Sequence, residues 1–258
     1  FGVDAVYIDQ IGAAQAYPCE DPTHSHRAGG GTWWVESYRN LLDHAKQNMP
    51  SDACLTTECT SDPYMKDIQA YLSWIWIKND QVPAFMVIYN RYVTVFGRNY
   101  LYAGDAVGQD IFAAQSLTYG EQMGWILPET YQELTHKEFY KKCVRTRAAL
   151  GDFFYQGRLL RSPVIDDKVK LKTTKIKAEA YGGLLEHTAT FSELWEREDG
   201  KRLLLLVNAS AKETSPTLQT LLPDGVYTPM GDLSLPVAVS EGCLTITLPP
   251  HSVSYLIV

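Results

Sequence analysis

Over roughly the first 160 residues, short apolar runs alternate with stretches whose apolar side chains recur at i, i+3 and i+4, and near Ser162-Pro163 this rhythm gives way to period two. A β-α alternation permits few folds. Parallel strands need long crossovers, helices supply them, and right-handed crossovers give either an open doubly wound sheet or part of a (β/α)8 barrel. The strand-like runs are Gly2 to Ile8, Cys54 to Glu58, Tyr71 to Ile77, Pro83 to Tyr89 and Met123 to Leu127. The helical ones are Thr32 to Gln47, with Trp34, Tyr38, Leu41, Leu42 and Ala45 on one face, then Asp105 to Tyr119 and Lys137 to Tyr155. Beyond the break, Lys168 to Ile176, Ala189 to Glu196, Arg202 to Asn208, Gly225 to Pro229, Cys243 to Leu248 and Ser252 to Val258 read as strands. Turn signals such as Asp199-Gly200 and Pro223-Asp224-Gly225 separate them, which predicts an antiparallel β-sandwich.

The predicted organisation is therefore a partial barrel over residues 1–162 and a sandwich over 163–258. About five βα units cannot close eight strands, and a complete barrel takes roughly 250 residues by itself. The expectation is the C-terminal part of a barrel, strands four to eight, completed by a segment from the same gene product or from a second chain. The chain also opens on Phe1 directly in a strand, so its natural N-terminus is expected upstream. Expressed without the completing strands, such a piece should be insoluble or associate.

A formal net charge of -7 argues against nucleic acid and against an anionic membrane surface, since both require clustered Lys and Arg. No apolar run of 18 or more residues spans a membrane. The five cysteines include no CxxC pair and form neither a disulfide framework nor a zinc knuckle. Gly29-Gly30-Gly31 precedes a helix without the remainder of any phosphate motif, and no Gly-x-Ser-x-Gly elbow is present. No cofactor is predicted, and a neutral carbohydrate suits the charge balance best.

Two of the strands end on acids, Asp9 and Glu58. In parallel α/β proteins the carboxyl ends of strands face the ligand crevice. Hydrolysis of a glycosidic bond needs one carboxyl group to protonate the leaving oxygen and another to attack the anomeric carbon or activate water. Strand-end acids also bind metals, cap helices or pair with cations, so a carbohydrate-binding protein without catalysis is a competing reading. His24 and His26 lie in a loop rich in ligand-type residues, Cys19 to His26, which suits hydrogen bonds to sugar hydroxyls and leaves a metal-dependent hydrolase as a further alternative. Trp33, Trp34 and Trp125 are positioned to stack on sugar rings, and Asp62 and Tyr89 follow predicted strands. With Gln10 beside Asp9, these make up the candidate substrate-binding set.

The strings Tyr7-Ile8-Asp9-Gln10, Cys19-Glu20-Asp21-Pro22-Thr23-His24-Ser25-His26 running into Gly29-Gly30-Gly31-Thr32-Trp33-Trp34, and Thr56-Thr57-Glu58 followed by Asp62-Pro63-Tyr64 resemble the bacterial DUF6259 family, whose members are regarded as glycoside hydrolases. Val82-Pro83 through Tyr89 and Gln122-Met123-Gly124-Trp125 extend the likeness over most of residues 1–130. That family is distantly similar to (β/α)8 enzymes of the endo-α-N-acetylgalactosaminidase type. The resemblance implies Asp9 as nucleophile and Glu58 as general acid/base. Family members commonly carry Gly where this chain has Cys59 and often Glu where it has Asp62.

Overall fold

The computed structural model describes residues 2–74, 81–176 and 184–258, so the far end of the predicted Tyr71 to Ile77 strand lies outside the described residues. By its internal contacts the chain divides into two units, residues 1–74 with 92–94, and residues 75–91 with 95–258.

The first unit carries three parallel strands, β1 (Ala5–Ile8), β2 (Cys54–Glu58) and β3 (Ala70–Trp74), with helix α1 (Trp33–Gln47) as the crossover between the first two. β1 pairs with β2 from Ala5 beside Cys54 to Ile8 beside Thr57, and β2 continues into β3 with Glu58 beside Leu72. The period-two pattern of β2 has a direct consequence. Leu55 and Thr57 are buried on one face while Thr56 and Glu58 stay partly accessible on the other. Among the α1 residues, Leu42 is fully buried and Leu41 is 51% exposed, so the apolar stripe of the helix is narrower than predicted. Arg39 donates to the Pro63 carbonyl and the Lys46 ammonium pairs with Asp67 at 3.0 Å, tying α1 to the segment after β2.

The second unit begins with a departure from expectation. Ala84–Tyr89 is a short helix, α2, and not a strand. A six-residue apolar run has no periodicity long enough to distinguish the two, and Val87 and Ile88 face outward here as a buried strand would not allow. The strand of this region is instead β4 (Thr94–Arg98), which ends on a buried arginine. Met123 to Leu127 forms no strand. Only Gln122 bridges in parallel to Phe96. The helices α3 (Ala106–Thr118), α4 (Pro128–Glu133), α5 (Lys137–Ala149) and α6 (Gly151–Gln156) follow. Asp105 starts α3 by accepting the Gly108 N–H at 3.0 Å, the expected office of an Asp at that position.

From Arg158 on, every described strand pair is antiparallel. One sheet runs β14 (Met230–Gly231), β17 (Ser252–Ile257), β11 (Arg202–Asn208), β10 (Leu194–Glu196), β5 (Arg158–Leu159), with β9 (Thr190–Phe191) also on β11. A second consists of β16 (Cys243–Thr245), β12 (Thr217–Gln219) and β6 (Val164–Asp166). Two hairpins, β7 (Lys170–Thr173) with β8 (Leu185–Thr188) and β13 (Gly225–Tyr227) with β15 (Val237–Val239), complete the set. β11 explains why its sequence, Arg-Leu-Leu-Leu-Leu-Val-Asn, does not alternate. Leu204 and Leu206 join Leu218, Leu244 and Leu256 in a core between sheets, whereas Leu203, Leu205 and Val207 join Phe112, Leu117 and Trp195 in a core shared with the helices. A strand buried on both faces has no solvent side to mark with polar residues. The molecule is thus a mixed α/β protein with a parallel sheet and several antiparallel ones.

Candidate active site

Extending the β1–β2 register by one residue places Asp9 beside Glu58 on the same face of the sheet. Their carboxyl groups are close enough for each to shift the other's proton affinity, and that coupling sets the electrostatics of the site. Burial, the hydrogen bond to Asp9 and the Asp9 charge push Glu58 up to about 7, with a hydrogen bond from Tyr7 pulling the other way. Asp9 is held below its ordinary value by the Glu58 hydrogen bond, then by the Gln10 backbone N–H at 2.9 Å and the Gln10 side-chain amide. The pair therefore favours one ionised and one protonated member, with Asp9 the anion and Glu58 the proton carrier. The same two charges, after burial, raise the Tyr7 hydroxyl well above its normal range and the Cys59 thiol to about 11.

The chain turns sharply after each acid. Gln10 and Cys59 have φ of 67° and 59°, the left-handed region that non-glycine residues seldom occupy. Gly12 is needed for the same reason of close packing. A Cβ there would lie 2.5 Å from the Glu58 carbonyl oxygen and 2.6 Å from that of Cys59. Tyr7 and Gly12 were not singled out from the sequence. Tyr7 could have been, because period two puts residues 7 and 9 on one face.

The long loop after Asp9 is knit by local bonds. Asp21 accepts from the Thr23 N–H and hydroxyl at 2.8 and 2.7 Å, the Gly29 N–H donates to the Cys19 carbonyl at 2.8 Å, and Cys19 Sγ lies 3.1 Å from His24 Nδ1. His26 stacks on Trp33 with centroids 4.6 Å apart, and edge-on contacts continue from Trp33 to Trp34, Tyr38 and Tyr64. The structure therefore brings His24, His26, Trp33 and Trp34 into one aromatic row. The ligand atoms of Cys19, His24 and His26 all lie within 4.8 Å of one another, a donor set that zinc accepts. Asp62 is exposed and opens the short turn Asp62–Tyr64, four residues beyond β2. Tyr89 and Trp125 belong to the second unit. Tyr89 ends helix α2 with its ring 4.9 Å from Phe85, so it does not follow a strand as predicted. Trp125 is 42% exposed in an irregular segment whose carbonyl accepts the Tyr100 N–H.

Residues 1–100 match the family described as "Domain of unknown function (DUF6259)", which bears out the resemblance seen in the sequence. A protein of Bacteroides thetaiotaomicron named "Putative glycoside hydrolase" is 27% identical over 223 residues, covering 83% of this chain and 32% of that one. "Putative glycoside hydrolase 22789" of Monosiga brevicollis is 34% identical over 134 residues, 48% of this chain and 11% of its own length. The chain thus spans about a third or less of these relatives. Among solved structures, a noncanonic maltogenic α-amylase, AmyB of Thermotoga neapolitana, superposes with a TM-score of 0.54 at 14% identity over 89% of this chain and 59% of that one. The α-amylase of Geobacillus thermoleovorans in complex with acarbose gives 0.51 at 12% identity, over 86% and 57%. At such identities the likeness is one of fold, and the fold is that of amylase-type enzymes.

Proposed function

We propose that this chain carries the catalytic acid pair of a retaining glycoside hydrolase, with Asp9 as nucleophile and Glu58 as general acid/base. The observation that supports it is the placement of the two acids side by side at the ends of neighbouring parallel strands in equal register, with Glu58 raised to about 7 and Asp9 lowered by their interaction. Each acid has the protonation its role demands. Glu58 donates its proton to the glycosidic oxygen as Asp9 attacks the anomeric carbon, and the bond to the leaving group breaks. A water then attacks the glycosyl-enzyme ester, giving its proton to Glu58, and Asp9 departs as the carboxylate. Retaining enzymes hold their carboxyls about 5 to 5.5 Å apart and inverting ones roughly 6.5 to 9.5 Å. Register-matched residues on strands about 4.8 Å apart bring their carboxyls nearer the retaining separation than the inverting one.

In this reading the sugar is a neutral unit of an oligosaccharide, polysaccharide or glycan. Gln10, His24, His26, Trp33, Trp34 and Asp62 bind it. The parallel strands belong to strands four to eight of a (β/α)8 barrel over residues 1–162, a β-sandwich over 163–258 follows it in the sequence, and a further polypeptide segment supplies the opening strands. The test is stereochemical. With the barrel-completing segment present, NMR of the first-formed product should show the anomeric configuration of the substrate, and an activated 2-fluoroglycoside should leave a sugar adduct on Asp9 by peptide mass. An inverted product, or an adduct on another residue, overturns the assignment.

A second reading is favoured by one observation, the convergence of Cys19, His24 and His26. A cation held there would make the enzyme a metal-dependent hydrolase. Prolonged chelation then removes activity together with one equivalent of metal, whereas the carboxylate mechanism survives it.

A further inference from the structure

A second constellation lies in the unit that does not contain the acid pair. Asp110 projects from the middle of α3, His136 immediately precedes α5, and His251 sits in the turn before β17. Asp110 Oδ2 is 2.8 Å from His136 Nδ1 and 3.2 Å from His251 Nε2. The three atoms all fall within 4.8 Å of one another, and the two imidazole centroids are 4.1 Å apart. We propose that Asp110, His136 and His251 bind a divalent first-row cation of the zinc class, which fastens α3, the start of α5 and the β17 turn to one another.

The geometry and the donors both suit such an ion. Zinc–nitrogen and zinc–oxygen bonds of about 2.0 to 2.1 Å in a tetrahedron require ligand atoms about 3.3 to 3.4 Å apart. Two of the three edges are already within roughly half an ångström of that. Two imidazoles and one carboxylate form a set used by borderline divalent ions. The fourth position opens on a groove of about 490 Å³ lined by both histidines with Thr135, Glu138 and Lys142, where a water can complete the shell. Asp110 is 6% exposed, so its carboxylate is a buried donor group held between the two imidazoles.

The other charged groups nearby are Asp105, the Lys137 and Glu138 side chains at the groove, and Lys142, whose ammonium is paired with Asp232 at 2.9 Å. The backbone of His251 is pinned as well. Its φ is 46°, its N–H donates to the Ser210 carbonyl at 2.9 Å, and its carbonyl accepts from Lys142. The ring is thereby aimed at Asp110 before any ion arrives, the preorganisation a ligand site needs.

The competing account is an aspartate that merely accepts two hydrogen bonds from imidazole. Asp110→Asn separates the two. Asparagine keeps the shape and one acceptor oxygen, so a hydrogen-bonded cluster survives it, whereas a cation loses its only anionic ligand. The chain together with its barrel-completing segment, stripped with chelator, would be titrated with Zn2+ by calorimetry and with Co2+ by visible absorption. Wild type should take up one equivalent with the d–d bands of a four-coordinate site. At a hundredfold excess over Kd, Zn2+ should raise Tm by roughly 5–10 °C. Asp110→Asn, and separately the half-exposed His136→Gln, should weaken binding at least about 30-fold, each losing one ligand, while the metal-free proteins melt close to wild type. Cys19→Ser should leave this equivalent in place. No uptake by wild type, uptake lost in Cys19→Ser alone, or undiminished affinity in both Asp110→Asn and His136→Gln would overturn the proposal. None of these outcomes depends on the roles of Asp9 and Glu58.

Discussion

The strand ends of the first unit and the double-faced strand of the second are built on opposite terms. β11 is buried on both sides, and its side chains belong to two large apolar clusters drawn from residues of the second unit alone. β1 lies at the edge of its sheet with Val6 and Tyr7 more than 40% exposed, and the first unit buries few large apolar groups, chiefly Leu42, Leu55, Tyr64, Ile68, Tyr71 and Leu72. Yet the carboxyls proposed to be catalytic, Asp9 and Glu58, are in the lean unit. There, position is set by strand register and by left-handed turns after each acid, and packing contributes little. Burying both carboxyls would cost several kcal/mol of desolvation per ion, and it would close the face a substrate must reach. Sites that bind and release ligand are commonly drawn from such low-density regions.

The largest effect that would sharpen this contrast is on turnover with no change in folding. Asp9→Asn should lower kcat on an activated aryl glycoside by at least about 10³-fold, as expected when a nucleophile is removed. Glu58→Gln should spare the first step for a good leaving group and be rescued by azide. Both variants should unfold at the denaturant midpoint of wild type, since Asp9 is exposed and Glu58 only partly buried. Retention of most activity by both would remove the catalytic role and leave a binding protein.

Stability should respond in the other unit. Leu204→Ala removes a fully buried side chain from the core between sheets and should cost about 2–5 kcal/mol, whereas Leu41→Ala on the exposed face of α1 should change stability by less than about 0.5 kcal/mol. Chemical denaturation of the two variants measures both. Comparable losses would mean that the first unit holds a core as dense as the second.

Much of this was legible in the sequence, for reasons that differ by residue. Asp9 and Glu58 could be found because a strand that ends on an acid is a one-dimensional signal, and the equal phase of β1 and β2 then makes them neighbours. The switch to antiparallel pairing, which begins at Arg158, showed itself in the change of period near Ser162-Pro163. α2 was misread because six apolar residues carry no period, and β4 was missed because Gly97, at a φ of 76°, and the buried Arg98 break an apolar pattern. Arg98 is tolerated there by Glu121, its ion-pair partner at 2.7 Å, and by Gln115, both of them on later segments. The Asp110, His136 and His251 cluster is illegible for the same reason. Its members stand 26 and 141 positions from Asp110 and meet only in the fold.

Gly12→Ala tests whether the close approach behind Glu58 governs the site. The added Cβ would meet two backbone oxygens that cannot swing aside, so the loop must lift from the end of β2. A loss of about 1–3 kcal/mol is expected from overpacking of this kind, accompanied by a fall in kcat because Glu58 moves with its carbonyl. Unchanged stability with unchanged kcat would show that the turn is slack and that register alone positions the pair.

The smallest effect concerns pH. Glu58 must be protonated to donate to the glycosidic oxygen, so kcat/KM should fall as pH rises through about 7, while the acidic limb lies below the ordinary carboxylate range, where Asp9 gains its proton. The Tyr7 hydroxyl favours the ionised form of Glu58 and so lowers its proton affinity. Removing it in Tyr7→Phe therefore makes Glu58 harder to ionise, and the alkaline limb should move to higher pH. The acidic limb should stay in place, because Asp9 is held down by Glu58 and by Gln10. With Tyr7 45% exposed on an edge strand, the accompanying change in stability should be under about 0.5 kcal/mol. An alkaline limb that moves downward would reverse the role of Tyr7, and one that fails to move would show that another group sets it, leaving Glu58 out of the acid step.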